Sequence, residues 1–390
     1  MSEWKETYLI DVTSKIGDGL HGTPQYDNDG EYHFINGNNL IRGSIVIKPE
    51  TQKVNRQEFE KYAKPLSDKT ILLSINGTIG NLALFNGESC ILGKSACYIN
   101  VNENAERRFI YYVFLNRDFQ NFIVESATGT TIPNVPLKGI REYSFRLPTL
   151  PEQRAIASVL SGLDDKIDLL HRQNATLEAM AETLFRQWFV EEEKEDWEKI
   201  TLFDAIDLIG GGTPKTSIPE YWNGNIKWLS GGDIANNHKS IIISSEKSIT
   251  ELGLNSSSAK LLPKFSTVIS ARGTVGKYCI LSEPMTFSQS NYGIKPKYES
   301  CFFFTYLLIA HSVDELISAA YGSVFDTITT DTFKGHSVTL PKLDVIKNFE
   351  IEVTPLFQKI LNNQTQIRTL TALQDTLLPK LMSGEVRVEI

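Results

Sequence analysis

Leu163, Ile167, Leu170, Asn174, Leu177, Ala181, Leu184 and Trp188 follow one another at alternating steps of four and three. That rhythm is the seam of a helix packed lengthwise on another helix. The same rhythm returns 193 residues later in Leu356, Ile360, Asn363, Ile367, Leu370, Gln374, Leu377 and Leu381, so each seam position has a counterpart. Each seam follows a helix breaker, Gly162 in one case and Pro355 in the other, and each breaker follows a shorter amphipathic run. The pattern predicts two long helices paired along their seams, each carrying a globular domain. Antiparallel pairing would put Leu163 near Leu381, Trp188 near Leu356, Asn174 opposite Leu370 and Leu170 opposite Gln374. The polar seam residues Asn174, Asn363 and Gln374 either set the register or mark a wet or partner-covered stretch. Met180, Leu361, Leu373 and Leu378 lie off the seam and suit a second surface for partner helices.

The segments between the helices alternate on a shorter period and occur twice. A glycine-rich loop, Ile16 to Pro24, leads into a strand at His33–Ile35, and Ile209 to Pro214 leads into Trp222 to Ile234 in the same loop-then-strand order. Ile71 to Gly80 and Thr267 to Gly276 each read as a strand entering a tight Gly-Thr turn. Further β runs (Leu82–Phe85, Cys279–Leu281), helices (Arg108–Asn121, Phe302–Ser318) and loops opening at Gly129-Thr130-Thr131 and Gly322-Ser323-Val324-Phe325 complete the parallel. The expected fold class is α+β, with two pseudo-repeated α/β domains at 1–149 and 200–343. Helical arms at 150–199 and 344–390 separate them.

Composition changes this picture in one respect. The net charge of −8 counts against a nucleic-acid partner, but residues 150–199 hold 6 basic and 12 acidic residues while 200–343 hold 12 of each. The acid belongs to the arms, and near-neutral domains can still bind DNA through local patches. Cys90, Cys97, Cys279 and Cys301 form no C-x-x-C pair and read as reduced, buried thiols. No apolar run is long enough to span a membrane and the first ten residues lack a signal peptide's regions, which points to the cytoplasm and no membrane partner.

The run Leu147-Pro-Thr-Leu-Pro-Glu-Gln-Arg-Ala-Ile156 before the first long helix, and Leu378-Pro-Lys-Leu-Met-Ser-Gly-Glu-Val386 at the end of the second, resemble the specificity subunit of a type I restriction-modification system. The resemblance covers essentially the whole chain. The second arm departs from it, with Pro341-Lys-Leu-Asp-Val-Ile346 where the first has its Pro-Glu-Gln run, which bears on how closely the arms correspond. The resemblance implies two target-recognition domains reading a bipartite double-stranded DNA site, one half-site each, and docking of two methyltransferase subunits, with restriction subunits joining them. It implies no catalytic residue, metal or cofactor in this chain; S-adenosylmethionine, ATP and Mg would belong to the partners. A helix from Asp164 to Phe189, about 26 residues and so ~39 Å long, approaches the ~34–36 Å of one DNA turn, so the paired helices would set an unread spacer.

Arginine suits guanine O6 and N7, and Asn or Gln suits adenine N6 and N7. The second domain offers Arg272 at a turn tip, with Thr274, Lys277, Gln289, Asn291 and Tyr292 nearby in sequence. The first has Asn76 where the second has Arg272, together with Thr78, Lys94, Thr130 and Thr131. Lys215, Lys227 and Lys260 are phosphate candidates by charge, and Trp222 and Trp228 could stack on a base. The glycines and threonines at both turns also suit turn geometry alone. Gly87 to Ser95 resembles a P-loop but has five residues between its glycines where four are required. The six histidines are scattered, and no G-x-S-x-G or H-E-x-x-H occurs. The competing class is a scaffold or carbohydrate-binding protein with duplicated domains on a coiled-coil stalk.

Overall fold

The structure, a computed structural model, describes residues 4–129, 131–192, 195–321 and 326–389. It divides into two compact units, residues 1–166 with 370–390 and residues 167–369, and the division falls inside both long helices.

In the first unit an antiparallel four-stranded sheet runs Thr13–Asp18, Ala96–Val101, Thr70–Asn76, Thr78–Leu84. In the second, Ile206–Gly210, Asn291–Pro296, Thr267–Ser270 and Tyr278–Leu281 repeat that order, and Ile241–Ile242 adds an edge strand. The duplication holds to the residue, since Ser74 pairs with Ala96 as Ser270 pairs with Asn291. Each unit adds a three-stranded sheet, through Tyr32–Ile35 and Trp222–Leu229, and a two-stranded ribbon, Lys5–Tyr8 with Ser144–Leu147 and Glu198–Thr201 with Ser337–Leu340.

Helices cover one face of each large sheet. The predicted helix Arg108–Asn121 is two helices, Arg107–Leu115 and Arg117–Glu125, because Asn116 takes an extended ψ of 143° between them. Its counterpart Phe302–Tyr321 is, against expectation, long and apolar enough to cross a membrane, but 56% of that window is buried. Phe303, Phe304, Leu307 and Leu316 pack into the second unit's core, so the apolar length covers a sheet.

The long helices run Leu150–Arg186 and Leu343–Ser383, straight through both expected breakers. Gly162 is exposed, and a Cβ there would meet nothing within 4 Å. Pro355 deprives only the carbonyl of Ile351, a residue 71% exposed, where water replaces the missing donor. The Pro-Glu-Gln run acquires a local role. Glu152 accepts from Thr149 N at 3.0 Å and starts the helix, while buried Gln153 accepts from Glu106 N at 2.8 Å and fixes the start of helix Arg107–Leu115. In the second arm Glu350 does the same work, accepting from Phe303 N and Phe304 N at 3.0 and 2.8 Å. The lost motif is replaced by a carboxylate one turn further along.

Within each unit the helices are antiparallel. In the second unit, Asn363 Nδ2 donates to Asn174 Oδ1 at 2.8 Å and Trp188 lies 5.7 Å from Phe349. In the first, Gln374 Nε2 donates to Asp164 Oδ1 at 2.7 Å, and Ile156 and Leu160 share a core with Leu381. These contacts place the register one heptad away from the expected one. A seven-residue slip leaves every apolar seam position on the seam, so the apolar rhythm cannot choose between the two. The polar residues can, since the observed register sets Asn on Asn and Gln on Asp, where the expected one sets Asn174 and Gln374 on leucines and Asn363 on Ala181. Asn174 and Asn363 are 4% and 0% exposed, which supports the register reading over the wet one. No seam residue is exposed: Leu170, Ile360, Ile367 and Leu381 are buried, and Leu163, Ile167, Leu177, Leu184, Leu356, Leu370 and Leu377 half-buried. Of the off-seam set, Met180 and Leu373 are 48% and 44% exposed. Leu361 and Leu378 pack instead against the cores of their own units.

Candidate nucleic-acid interface

In both units the loops meet at one end of the large sheet. Strand Thr70–Asn76 ends there in the turn at Gly77, strand Thr13–Asp18 also ends there, and strand Ala96–Val101 begins beside it. Gly77 and Gly273 have φ of +74° and +77°, a left-handed bend that glycine adopts without penalty. The glycine-rich openings have a different cause. A Cβ on Gly19 would lie 2.2 Å from the Gly93 carbonyl, and one on Gly211 would lie 2.1 Å from that of Ser288, so the opening loop is pressed against the neighbouring turn.

In the first unit, Asn76 Nδ2 donates to Asn134 Oδ1 at 3.1 Å. Gly77 N donates to Pro133 O at 3.1 Å, Val135 N to Ile75 O at 2.8 Å, and Thr128 and Asn134 exchange two backbone bonds of 2.8 Å. Thr128 and residues 133–135 are thereby pinned along the turn, with Ile132 at 60% exposure beside exposed Thr131. Thr130 lies outside the described residues. Thr78 and Lys94 are exposed on the same end, Lys94 one residue before Ser95, whose carbonyl accepts from Ile75 N at 3.0 Å.

The second unit repeats the frame with other side chains. Arg272 occupies Asn76's position and is exposed, with no ion pair among the described residues. Its carbonyl accepts from Thr274 N at 3.0 Å and Ser270 Oγ at 3.2 Å, which holds the tip rigid. Gln289 takes Lys94's place and is exposed, as are Lys277 and Lys215. Ile328 N donates to Ala271 O at 3.1 Å, matching Val135 on Ile75. Gly322 to Phe325, echoing Gly129 to Ile132, lies outside the described residues.

Four candidates are committed elsewhere. Lys227 donates to Ile243 O at 2.9 Å and pairs with Glu283, which takes its ammonium away from any phosphate. Tyr292 packs on Phe333 at 5.9 Å as part of the core. Asn291 is 1% exposed and donates to Ser288 Oγ at 2.7 Å. Thr274 Oγ1 donates to Gly231 O at 3.2 Å, so it braces the turn. Trp228 is likewise buried, its Nε1 on Gly212 O at 2.9 Å, with Trp222 edge-on at 5.2 Å. Asn134 and Ile132 are the residues that sequence reasoning passed over, and Pro133 between them was the available turn signal.

Burial lowers His238, with Lys277 adding to the effect. Burial pushes the Cys90 thiol up to about 12 and the Cys301 thiol up to about 11. Among the described residues no three His, Cys, Asp or Glu side chains are grouped to hold a metal ion.

Residues 1–179 and 194–377 match the family model of the type I restriction modification DNA specificity domain. The chain is 26% identical over 343 residues to the type I restriction enzyme MjaIX specificity subunit of Methanocaldococcus jannaschii, covering 82% of this chain and 78% of that one. It is 23% identical to the HindI specificity subunit of Haemophilus influenzae, covering 99% and 100%. The crystal structure of the type I restriction-modification S subunit from M. genitalium shares the fold, with a TM-score of 0.65 at 18% identity over 97% of this chain and 96% of that one.

Proposed function

Because the chain belongs to the type I restriction-modification DNA specificity family, we propose that each unit sets the turn-and-loop end of its large sheet against one half of a split double-stranded DNA target. The chain is a specificity subunit with two target-recognition domains. One observation carries the reading of where they act. The same frame of turn, opening loop and pinned loop stands at the same end of both sheets, but its side chains differ, half-buried Asn76 and exposed Lys94 in one and exposed Arg272 and Gln289 in the other. A duplicated scaffold with divergent tips is what reading two different half-sites requires. Lys215 and Lys277 serve phosphates, which position without specifying.

The long helices set an unread spacer and dock two methyltransferase subunits, with Met180 and Leu373 as exposed apolar contacts. Restriction subunits join through that assembly. Methyl transfer from S-adenosylmethionine and ATP- and Mg-dependent steps belong to the partners, and this chain contributes recognition without catalysis. Co-expression with a methyltransferase from the same operon, followed by long-read mapping of adenine methylation, tests the proposal. A split motif in which exchanging residues 1–149 changes one half and spares the other is expected. A scaffold or carbohydrate-binding protein would give no methylated motif.

A further inference from the structure

Resting on the DNA reading above, we infer that the two turns read different base pairs: the turn at Asn76 meets an A·T pair, through adenine at the amides and thymine at Ile132, and the turn at Arg272 meets guanine. The inference stands on what each pinned tip leaves exposed.

In the first unit Asn76 and Asn134 are joined by a single bond at 3.1 Å, Nδ2 to Oδ1. That bond leaves Asn76 Oδ1 and the Asn134 amide nitrogen with no partner among the described residues, an acceptor and a donor on two bonded amides. Adenine's major-groove edge offers the complement, N6–H as donor and N7 as acceptor. Guanine offers two acceptors, so against it one of the two protein groups would face a like group. Ile132, next but one to Asn134, is 60% exposed on a loop held to the same turn by two backbone bonds, Gly77 N to Pro133 O and Val135 N to Ile75 O. Its aliphatic surface is open to an apolar partner at the same tip as the amides. The C5-methyl of thymine, the apolar group of the major groove, is its natural contact.

In the second unit the amide is replaced by a guanidinium, and the tip beneath it is braced by Ser270, Thr274 and Gly231. Arg272 has no ion pair among the described residues, so its fork is left for an acceptor pair. Guanine O6 and N7 are such a pair, and thymine and adenine each offer a single acceptor there. The contrast does not come from loop length, since Leu73 pairs with Leu82 as Ile269 pairs with Tyr278, and Gly77 and Gly273 share their φ.

The test uses the full chain with its methyltransferase and compares the methylated fraction at the consensus and at every single-base departure from it, for the natural protein, Arg272→Ala and Ile132→Ala. Both substitutions are at exposed positions, and matching thermal unfolding of all three chains checks that each folds. Arg272→Ala is expected to lower discrimination about ten-fold at one G·C pair in one half-site. Ile132→Ala is expected to lower it about four-fold at an A·T pair in the other half. Release of an A·T pair by Arg272→Ala, release of a G·C pair by Ile132→Ala, effects confined to the same half-site, or an unchanged motif in either variant overturns the inference while leaving the specificity function standing. Absence of any methylated motif for the natural chain overturns both.

Discussion

Replacing the buried amide pair of the second unit isolates what sets the helix register. Asn363 and Asn174 are 0% and 4% exposed, joined at 2.8 Å, and Asn174 Nδ2 and Asn363 Oδ1 have no partner among the described residues. In Asn363→Leu the Asn174 amide keeps its burial and loses its bond, which costs about 1–3 kcal/mol. For a unit of this size about 2–4 °C of melting temperature corresponds to each kcal/mol, so either single variant should melt about 2–12 °C lower. Asn174→Leu with Asn363→Leu removes both polar groups and restores an apolar seam, so the double variant should melt at or above the natural protein. Tryptophan fluorescence suits the assay, because Trp188, Trp197, Trp222 and Trp228 all lie in the second unit. A double variant whose loss equals the sum of the singles would refute the account, since two independent sites add and a bonded pair does not.

Tyr112→Phe should lower the urea midpoint of the first unit by the equivalent of about 1.5–3 kcal/mol, because its hydroxyl donates to Asp164 Oδ2 at 2.5 Å; an unchanged midpoint counts against that bond. Glu178 is raised to about 7 by burial and by Glu182, with Lys239 opposing. A carboxyl whose folded value lies above its ordinary 4.5 costs stability once it ionises, so the second unit should weaken as pH climbs from 4.5 to 7. Glu178→Gln should flatten that slope, and melting curves at pH 5 and 7.5 measure it. Met180→Lys with Leu373→Lys should leave melting unchanged and abolish co-purification with the methyltransferase; a retained complex would place docking elsewhere.

Periodicity and turn chemistry are local, and what they govern was legible: the two seams, the doubled order of strands, and the correspondence of Asn76 with Arg272. Register was not, because a heptad repeat is blind to a seven-residue slip, and Asp164, which meets Gln374, stands one place off the seam. Lys227 looked like a phosphate contact because Glu283, its partner, lies far along the chain and is brought close by the fold alone. Tyr292 and Asn291 followed an exposed-looking polar run, yet they sit inside the ladder to Ile269 and Ser270. Gly162 and Pro355 misled in the opposite sense, since a breaker on a solvated flank of a long helix removes little that water cannot replace.

The second unit is one continuous stretch of chain, whereas the first is assembled from residues 1–166 and 370–390. During synthesis the first unit therefore waits about two hundred residues for Leu377, Leu378, Leu381 and Met382, which complete its core. Joining its two pieces through an unstructured connection that long would cost about 5 kcal/mol of chain entropy. A second unit that folds first removes most of that cost. Its antiparallel helices, locked at Asn174 and Asn363, bring positions 167 and 369 to the same level, so they hand the two separated pieces of the first unit to each other. A lesion in the second unit's helix pair should then surface as misfolding of the other unit on the ribosome.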